Sequence, residues 1–219
     1  MTRQTTAPGL AEETANRLRA RLTSGELRPG ERLSEARLAG EMDVSRNTLR
    51  EVFRLLTREG LLTHLPNRGM SVAVPSMATI LDIYRIRRLI EIPALAQAWP
   101  RHAAVGRMAD AVAAAVAARD RNDWMAVGSA NIAFHTAIVD LTDSPRLAGF
   151  FAQITAELRL AFGLMDAPEL LHAPFIEANQ QIVALLLQEQ PQAASERLAA
   201  YLDQSERVVM SAFARIDGA

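Results

Sequence analysis

Hydrogen-bond donors are concentrated at one point of this 219-residue chain, in the run Ser45-Arg46-Asn47-Thr48-Leu49-Arg50. In the major groove of DNA, arginine can donate two hydrogen bonds to guanine, and an asparagine amide can pair with adenine. A second cation, Arg68, stands within Pro66-Asn67-Arg68-Gly69, whose composition predicts a tight turn. A cation at a hairpin tip can reach a phosphate or the adjacent minor groove. These residue types predict contact with double-stranded DNA.

The element that must position the first cluster is an amphipathic helix. Ser45 is a suitable N-cap, and Gly60 can end the helix. Apolar residues recur with helical spacing at Leu49, Val52, Phe53 and Leu56. Asn47, Arg50 and Arg54 fall on the opposite face, so the helix can bury one side and present the other. Two short β-prone runs, Leu61–Leu65 and Met70–Val74, flank the turn and predict a hairpin.

An ordinary amphipathic helix with a solvated arginine face, followed by any hairpin, would show the same local pattern. The upstream sequence favours the DNA-binding interpretation. A short helix is predicted from Ser34 to Met42, and only Asp43, Val44 and Ser45 separate it from the next helix, as in a helix-turn-helix. Another amphipathic helix is predicted over Ala11–Ser24, closed by Gly25. Residues 1–75 are therefore predicted to form a winged helix-turn-helix domain.

Charge is distributed unevenly along the chain. Residues 1–76 contain 12 Arg against 9 Asp and Glu, whereas residues 77–219 contain 12 Arg against 16, which together give the net charge of −1. A mildly basic N-terminal part joined to an acidic C-terminal part fits a DNA-binding domain followed by a domain of another kind. The chain has no cysteine, which excludes disulfides and thiolate metal sites. The polar N-terminus lacks a signal-peptide pattern, and no apolar run approaches the roughly 20 residues of a membrane span.

Residues 76–219 are predicted to form an all-α bundle of about six helices, so the fold class is mainly α. The first helix, Thr79–Ala98, has apolar residues at 80, 83, 86, 89, 90 and 95, which predict its buried face. Pro168 and Pro174 are predicted to bracket a loop or kinked turn before a helix over Phe175–Gln188. The remaining helices are predicted over Val105–Arg121, from Asn122 or Asp123 to Leu141, from Pro145 to Met165, and over Pro191–Ala214.

Several ordered motifs in the N-terminal part resemble one known family. They are Leu27-Arg28-Pro29-Gly30-Glu31-Arg32-Leu33-Ser34-Glu35, Leu38-Ala39, Val44-Ser45-Arg46, Leu49-Arg50-Glu51, Glu59-Gly60-Leu61 and Asn67-Arg68-Gly69. Together they resemble the DNA-binding domain of GntR-family transcription regulators. The resemblance implies that the recognition helix contacts DNA through Ser45, Arg46, Asn47, Thr48 and Arg50, and the wing through Arg68 and Gly69.

The C-terminal part resembles the helical FCD-type ligand-sensing domain of the FadR-like branch of that family. The resemblance is carried by Arg87-Arg88-Leu89-Ile90-Glu91 and Asn131-Ile132-Ala133-Phe134-His135, and Asn179 and Tyr201 fall where the branch usually has histidine. In those relatives an aspartate and three histidines converge on a divalent metal. The resemblance implies an effector pocket formed here by Arg87, Asn131, His135, Asn179 and Tyr201.

Only His135 keeps a strong metal-ligand type at the four equivalent positions. Neutral amides and a phenol with a pKa of about 10 are poor ligands for transition metals. We therefore predict no metal and no cofactor, and a small organic effector, in particular a carboxylate. Arg87 is the candidate to hold that carboxylate, ahead of Arg88 and Arg159, although Glu91 lies one turn further on and could pair with it instead.

Other interpretations remain open from the sequence. The polar residues could form an internal network without a ligand. His135 could serve a metal-sensing regulator or a metal-dependent enzyme, although no carboxylate lies beside it in the sequence. A pure scaffold protein would leave Arg46, Asn47 and Arg50 unexplained. The prediction is a cytoplasmic, homodimeric, ligand-responsive regulator, a repressor on a pseudo-palindromic operator, with neither enzymatic activity nor a membrane partner.

Overall fold

The computed structural model describes residues 9–65, 69–165 and 168–217. These residues separate into two compact units. One comprises the described residues up to Val74 together with Arg159–Leu164, and the other comprises Pro75–Leu158 and the described residues from Met165 onward. Each unit has its own elements and its own core.

The first unit opens with three helices, α1 (Leu10–Thr23), α2 (Glu35–Met42) and α3 (Arg46–Arg58). Serine caps begin α2 and α3: the Ser34 hydroxyl accepts from the Arg37 amide, and the Ser45 hydroxyl accepts from the Thr48 amide. Asp43 ends α2 in the left-handed conformation, at φ 54°. This short connection between α2 and α3 is the predicted turn of a helix-turn-helix.

A hairpin follows, with β1 (Leu62–Leu65) antiparallel to β2 (Gly69–Val72). The register pairs Leu62 with Val72 and Leu65 with Gly69. The sequence predicted the hairpin but missed a third participant, the segment between α1 and α2. Arg32 forms a β-bridge with Ser71 on the other edge of β2. The amide of Leu33 donates to the carbonyl of Met70 at 2.9 Å, and the amide of Val72 donates to Glu31 at the same distance.

The core of the first unit consists of the predicted apolar positions. Leu49, Val52 and Leu56 of α3 are fully buried, and Phe53 is 3% exposed. The predicted inward residues of the two preceding helices are buried with them, namely Ala15, Leu18, Leu22, Leu33, Leu38 and Met42. Burial of this stripe fixes the opposite, polar face of α3 toward solvent.

The second unit is all-helical over its described residues. Its helices are α4 (Met77–Ala96), α5 (Ala103–Arg119), α6 (Trp124–Asp140), α7 (Pro145–Phe162), α8 (Pro168–Leu187) and α9 (Pro191–Asp217). Of α7, the residues up to Leu158 belong to this unit. Side chains cap the starts of α4, α5 and α6: Ser76 accepts from the Thr79 amide, His102 from the Ala104 amide, and Asp123 from the Ala126 amide. The Ser144 hydroxyl accepts from the Leu147 amide at the start of α7. The mainly α fold class is thus confirmed, with six helices in the described part of this unit.

The sequence predicted a loop or a kinked turn between Pro168 and Pro174, and the loop is wrong. Helix α8 begins at Pro168 and continues through Pro174, so both prolines lie within it. Proline tolerates the first turn, where its missing N–H has no intrahelical partner. At Pro174 a backbone hydrogen bond is lost, but Leu171, Phe175 and Ile176 are all buried around that point. Burial of such side chains, each contributing about 1.5–3 kcal/mol, offsets the loss of one turn's hydrogen bond.

The predicted inner face of α4 is also wrong in part. Ile80 and Ile83 are buried as predicted, but Leu89 is 76% exposed. The inner face carries Tyr84, Arg87 and Glu91 instead, at spacings of three and four residues. An apolar-only pattern therefore misplaced the face, because two charged residues occupy the interior.

Of the described helices, α8 alone has the length and apolar composition to cross a membrane. Half of its most apolar stretch is buried inside the protein, and a core helix of a soluble protein meets the same criteria. This composition is therefore weak support for a membrane span.

Candidate nucleic-acid interface and buried polar cluster

The Ser45 side chain caps the N-terminus of α3, and Arg46 in the first turn is exposed to solvent. The Ser45 hydroxyl accepts from the Thr48 amide at 3.1 Å and lies 2.9 Å from the Thr48 hydroxyl. Ser45, Arg46 and Asn47 are exposed, and Thr48 is partly buried. The cap fixes the first turn, so Arg46 and Asn47 project from a defined backbone position.

Arg50 does not extend freely from α3. Its Nε donates to Oε2 of Glu35 at 3.0 Å, from the first turn of α2. Both side chains remain exposed, by 56% for Arg50 and 36% for Glu35. Because the Arg50 side chain remains more than half exposed beside this contact, its guanidinium can still meet a base or a phosphate. Sequence reasoning missed Glu35, because fifteen residues separate the partners.

The hairpin supplies the other predicted contacts. Gly69 begins β2 at φ 76°, a left-handed conformation that favours glycine, and a Cβ there would meet no atom within 4 Å. The requirement for glycine at this position is thus conformational rather than steric. Arg68 lies outside the described residues. Between α3 and the hairpin is a cleft of about 800 Å³ lined by Arg50, Arg54 and Arg58, together with Glu35, Glu51 and His64.

A second group of polar side chains lies inside the helical unit. Arg87 and Glu91 are one turn apart on α4, and Arg87 Nε donates to Glu91 Oε1 at 2.7 Å. The other carboxylate oxygen, Oε2, lies 2.5 Å from Nδ1 of His135 on α6. Arg87, Glu91 and His135 are 3%, 0% and 2% exposed. The ion pair that the sequence left open as an alternative for Arg87 is therefore present, and binding of a carboxylate by Arg87 stays a prediction.

The protonation states follow from these contacts. Burial alone would raise the pKa of Glu91, but Arg87 and His135 outweigh it and hold that pKa below its usual value. Burial lowers the pKa of His135, with Arg87 acting in the same direction and Glu91 opposing both. Glu91 is thus a carboxylate and His135 a neutral imidazole. Because the carboxylate can only accept, Nδ1 of His135 carries the proton and donates to Glu91.

Three more predicted residues join this group. Asn131 precedes His135 by one turn on α6, and its Oδ1 accepts from Asn179 Nδ2 on α8 at 2.8 Å. The same oxygen accepts from the Tyr201 hydroxyl on α9 at 3.1 Å. The Tyr201 ring packs edge-on against the His135 ring, with centroids 5.0 Å apart. The structure therefore brings together all five residues of the predicted effector pocket, which we call the polar cluster together with Glu91.

Aromatic side chains enclose the polar cluster. The Phe175 ring lies 4.6 Å from that of Tyr201, and the Phe134 ring lies 5.4 Å from that of His135. Tyr84 is fully buried; its ring lies beneath the Arg87 guanidinium at 5.2 Å, and its hydroxyl hydrogen-bonds to Ser205 at 2.6 Å. Burial raises the pKa of Tyr201, so its hydroxyl stays protonated and can donate to Asn131. The cluster thus lies in a low-dielectric setting.

Two buried atoms of the polar cluster have no hydrogen-bond partner among the described residues. They are His135 Nε2 and Asn179 Oδ1. Both residues are more than nine-tenths buried, at 2% and 4% exposure. Nearly all buried polar atoms in folded proteins are hydrogen-bonded to protein or to ordered water, so each of these two atoms marks a place where a donor, from water or from a ligand, fits.

The residues of the polar cluster do not suit the divalent metal of the FadR-like relatives. Asn131 Oδ1 already accepts two hydrogen bonds, from Asn179 and Tyr201. That leaves one imidazole nitrogen and one neutral amide oxygen, which is a weak donor set for a transition metal. Within the part of the chain that the structure describes, no three His, Cys, Asp or Glu residues are grouped to hold a metal ion. That this protein works without a metal stays a prediction.

Sequence reasoning missed one essential member of the cluster. His135 was assigned without a carboxylate nearby, but Glu91 contacts it from another helix, 44 residues away in sequence. The available signal was the Arg87-to-Glu91 spacing of four residues, which places both side chains on one face of α4. That face lies inside the bundle, which the apolar pattern of α4 did not show.

Comparison with known proteins gives the identity of these two parts. The model of the bacterial regulatory proteins of the gntR family matches residues 10–72, and the FCD domain model matches residues 82–204. The chain belongs to the GntR family of transcription regulators and carries an FCD domain. Its first unit is the family's DNA-binding domain, and its helical unit contains the FCD domain.

Individual relatives agree with this assignment. The Nta operon transcriptional regulator of Aminobacter aminovorans is 41% identical over 78 residues, 36% of this chain and 37% of that protein. The chain therefore spans about a third of the length of this curated relative. A regulator from the TAR-I ttuE-ttuC' intergenic region of Agrobacterium vitis is 30% identical over 116 residues, covering 51% of this chain and 68% of that protein.

Solved structures extend the similarity to nearly the whole chain. A GntR-type transcriptional regulator from Rhodococcus sp. RHA1 has a TM-score of 0.89 and 34% identity, covering 94% of this chain and 99% of that one. Escherichia coli McbR/YncC has a TM-score of 0.80 at 21% identity, covering 94% and 100%, and this shows the shared fold. The relatives are transcription regulators, and this chain shares their family and their domain organisation.

Proposed function

We propose that this GntR-family chain is a ligand-responsive repressor, which leaves its operator when a small organic effector binds in the helical unit. The observation that carries the proposal is the pair of unpartnered buried atoms, His135 Nε2 and Asn179 Oδ1, inside the FCD domain. A network that served stability alone would be expected to satisfy both. The polar cluster therefore has the chemistry of a binding site rather than of a closed structural network.

The DNA contacts assigned by resemblance are compatible with the geometry of the first unit. Arg46 and Asn47 are exposed at the capped start of α3, and Arg50 lies one turn further on the same side. We propose that α3 enters the major groove with these three side chains against base edges. Gly69 and Arg68 would place the wing against the sugar-phosphate backbone.

A homodimer on a pseudo-palindromic operator is the proposed assembly. Two copies related by a two-fold axis present two recognition helices, which read two half-sites of the same sequence in opposite orientation. By linkage, an effector that weakens operator binding must itself bind more weakly to the operator complex, by the same factor. Because the target is the bacterial chromosome, the proposed location is the cytoplasm.

An organic acid is the effector class that we propose to test first. The Arg87 guanidinium uses Nε for Glu91, and its terminal nitrogens make no hydrogen bond to the described residues. A guanidinium fork suits a carboxylate. No metal is required for this mode, which separates the chain from relatives that hold their ligand through one.

The test of DNA binding uses fluorescence anisotropy with the promoter region of the chain's own operon, in the presence of competitor DNA. Arg46→Ala and Arg50→Ala are each expected to weaken specific binding by about 1–3 kcal/mol if they reach bases. Arg119→Ala is a matched control, because Arg119 is an exposed arginine of α5 paired only with its neighbour Asp120. Wild-type binding should also weaken steeply with added salt.

Release by effector is measured in the same assay with a panel of small organic acids. An acid that stabilises the protein against heat and raises the operator dissociation constant supports the proposal. Binding of the double variant Arg46→Ala/Arg50→Ala at wild-type affinity would show that α3 is not the recognition helix. An effector that binds the protein but leaves operator affinity unchanged would contradict ligand-responsive repression.

A further inference from the structure

The two unpartnered atoms of the polar cluster share one chemical property, since both are hydrogen-bond acceptors. His135 Nδ1 carries its proton toward Glu91 at 2.5 Å, so the neutral imidazole presents a lone pair at Nε2. Asn179 uses its amide nitrogen to donate to Asn131, which leaves its carbonyl oxygen as the unpartnered atom. Two acceptors cannot satisfy each other.

The character of these two atoms selects the group that can meet them. A carboxylate brings only further acceptors, so it cannot pair with either atom. An ammonium group would add a positive charge beside the buried Arg87–Glu91 ion pair, whose contact is 2.7 Å. A neutral donor adds no charge.

We propose that the effector of this regulator carries a hydroxyl group, and that this hydroxyl donates its single proton to one of the two acceptors, His135 Nε2 or Asn179 Oδ1. A second hydroxyl, as in a polyol, can donate to the other. The inference rests on the proposed function, since it concerns the effector of the same site. Among small organic acids it selects the hydroxy acids, and it adds neutral polyols as a second class to test. In a hydroxy acid, the carboxylate would lie toward the terminal nitrogens of Arg87, and the hydroxyl toward the acceptor pair.

The physical reason for selectivity is the cost of leaving acceptors unpaired. A ligand without a donor covers His135 and Asn179 and leaves both atoms without a hydrogen bond. A site built to hydrogen-bond a hydroxyl group discriminates strongly against the analogue that lacks it. An unsubstituted acid of the same length should therefore bind at least about tenfold more weakly than its hydroxylated counterpart.

The first experiment is isothermal titration calorimetry of the full chain with matched pairs of probes. The pairs are glycolate with acetate, lactate with propionate, malate with succinate, and gluconate with hexanoate; glycerol and sorbitol represent neutral polyols. We expect binding only among the hydroxylated members, or a preference of at least about tenfold within a pair. Equal affinity within every pair overturns the proposal, and so does a panel in which no hydroxylated probe binds.

A second measurement needs no ligand. The ¹⁵N chemical shifts of the His135 side chain in the free protein distinguish an unprotonated Nε2 from a protonated one. We expect the tautomer with its proton on Nδ1 at pH 7. A proton on Nε2 would make this atom a donor and would overturn the proposal.

Variants connect the two results. Asn179→Leu removes one acceptor while keeping a buried side chain of similar size, and it should reduce the preference for the hydroxylated member of a pair, because only His135 Nε2 remains as an acceptor. Ser205→Ala is the control, because Ser205 bonds Tyr84 rather than the acceptor pair, and the preference should persist. A hydroxylated probe that binds selectively but leaves operator affinity unchanged would refute the proposed repression and uphold this inference. Release of the operator by an unsubstituted acid would uphold the proposed repression and refute this inference.

Discussion

The buried ion pair between Arg87 and Glu91 predicts that removing both charges lowers the free energy of unfolding less than removing Glu91 alone. Glu91→Leu leaves the Arg87 guanidinium, 3% exposed, without a counter-charge. Breaking a buried pair from one side costs about 3–5 kcal/mol. It also leaves the His135 Nδ1–H without its acceptor, which adds about 1–3 kcal/mol.

The double variant Arg87→Met/Glu91→Leu removes the unpaired charge, so the first cost disappears and only the His135 contribution remains. We therefore expect the double variant to be more stable than Glu91→Leu alone by about 2 kcal/mol or more. Arg88→Met is the control, because Arg88 pairs with Asp203 and Glu206 at the surface. An exposed pair of this kind contributes about 0–1 kcal/mol.

The assay is urea unfolding followed by tryptophan fluorescence. Both tryptophans of the chain, Trp99 and Trp124, belong to the helical unit, so the signal reports on that unit. A Glu91→Leu protein that cannot fold while the double variant folds would agree with the prediction. The loss of unfolding free energy in the double variant is compared with the sum of the losses in Arg87→Met and Glu91→Leu. A double-variant loss that equals or exceeds this sum would refute a charge-compensated pair.

Three further outcomes are expected. Because burial holds the pKa of His135 below its ordinary value, the unfolded chain takes up the proton first, and stability of the helical unit should fall as pH drops below about 6.5. Urea titrations at pH 7 and pH 5 measure this, and His135→Phe should flatten the dependence. Glu35→Gln frees Arg50 from its carboxylate partner, so binding to unrelated DNA should strengthen. The ratio of operator affinity to non-specific affinity should therefore fall. An unchanged ratio, measured by fluorescence anisotropy, would contradict an orienting role for Glu35. The fragment 76–219 should fold, remain helical and dimerise, because it contains a continuous helical core; circular dichroism and analytical ultracentrifugation check both properties, and a monomer would count against dimerisation through this domain.

Local patterns in the sequence predicted local structure well. The Ser45 cap and the buried stripe of α3 depend on residues within about four positions of one another, where spacing determines which side chains meet. Pro174 shows the limit of such reasoning. Its effect on the backbone is local, but the burial of Leu171 and Phe175 that retains the helix is a tertiary contribution.

The candidate effector site was predictable in membership but not in chemistry. Similarity to a family identified Asn131, His135, Asn179 and Tyr201, and the structure places them together. Neither similarity nor spacing indicated that Glu91 would hold His135, since the two are on different helices. The tautomer of His135, and with it the acceptor character of the site, follows only from that contact.

The third participant in the hairpin sheet has a mechanical consequence for reading DNA. Strand β2 is pinned on both edges, by β1 on one side and by the Gly30–Leu33 segment on the other, through hydrogen bonds of 2.9–3.0 Å. That segment leads directly into α2, which the short turn at Asp43 joins to α3. The wing and the recognition helix therefore keep a fixed separation within the first unit. Within a half-site, the distance between the bases read by α3 and the groove reached by the wing is a fixed length. Inserting a single base pair between them should impair recognition as severely as a wrong base.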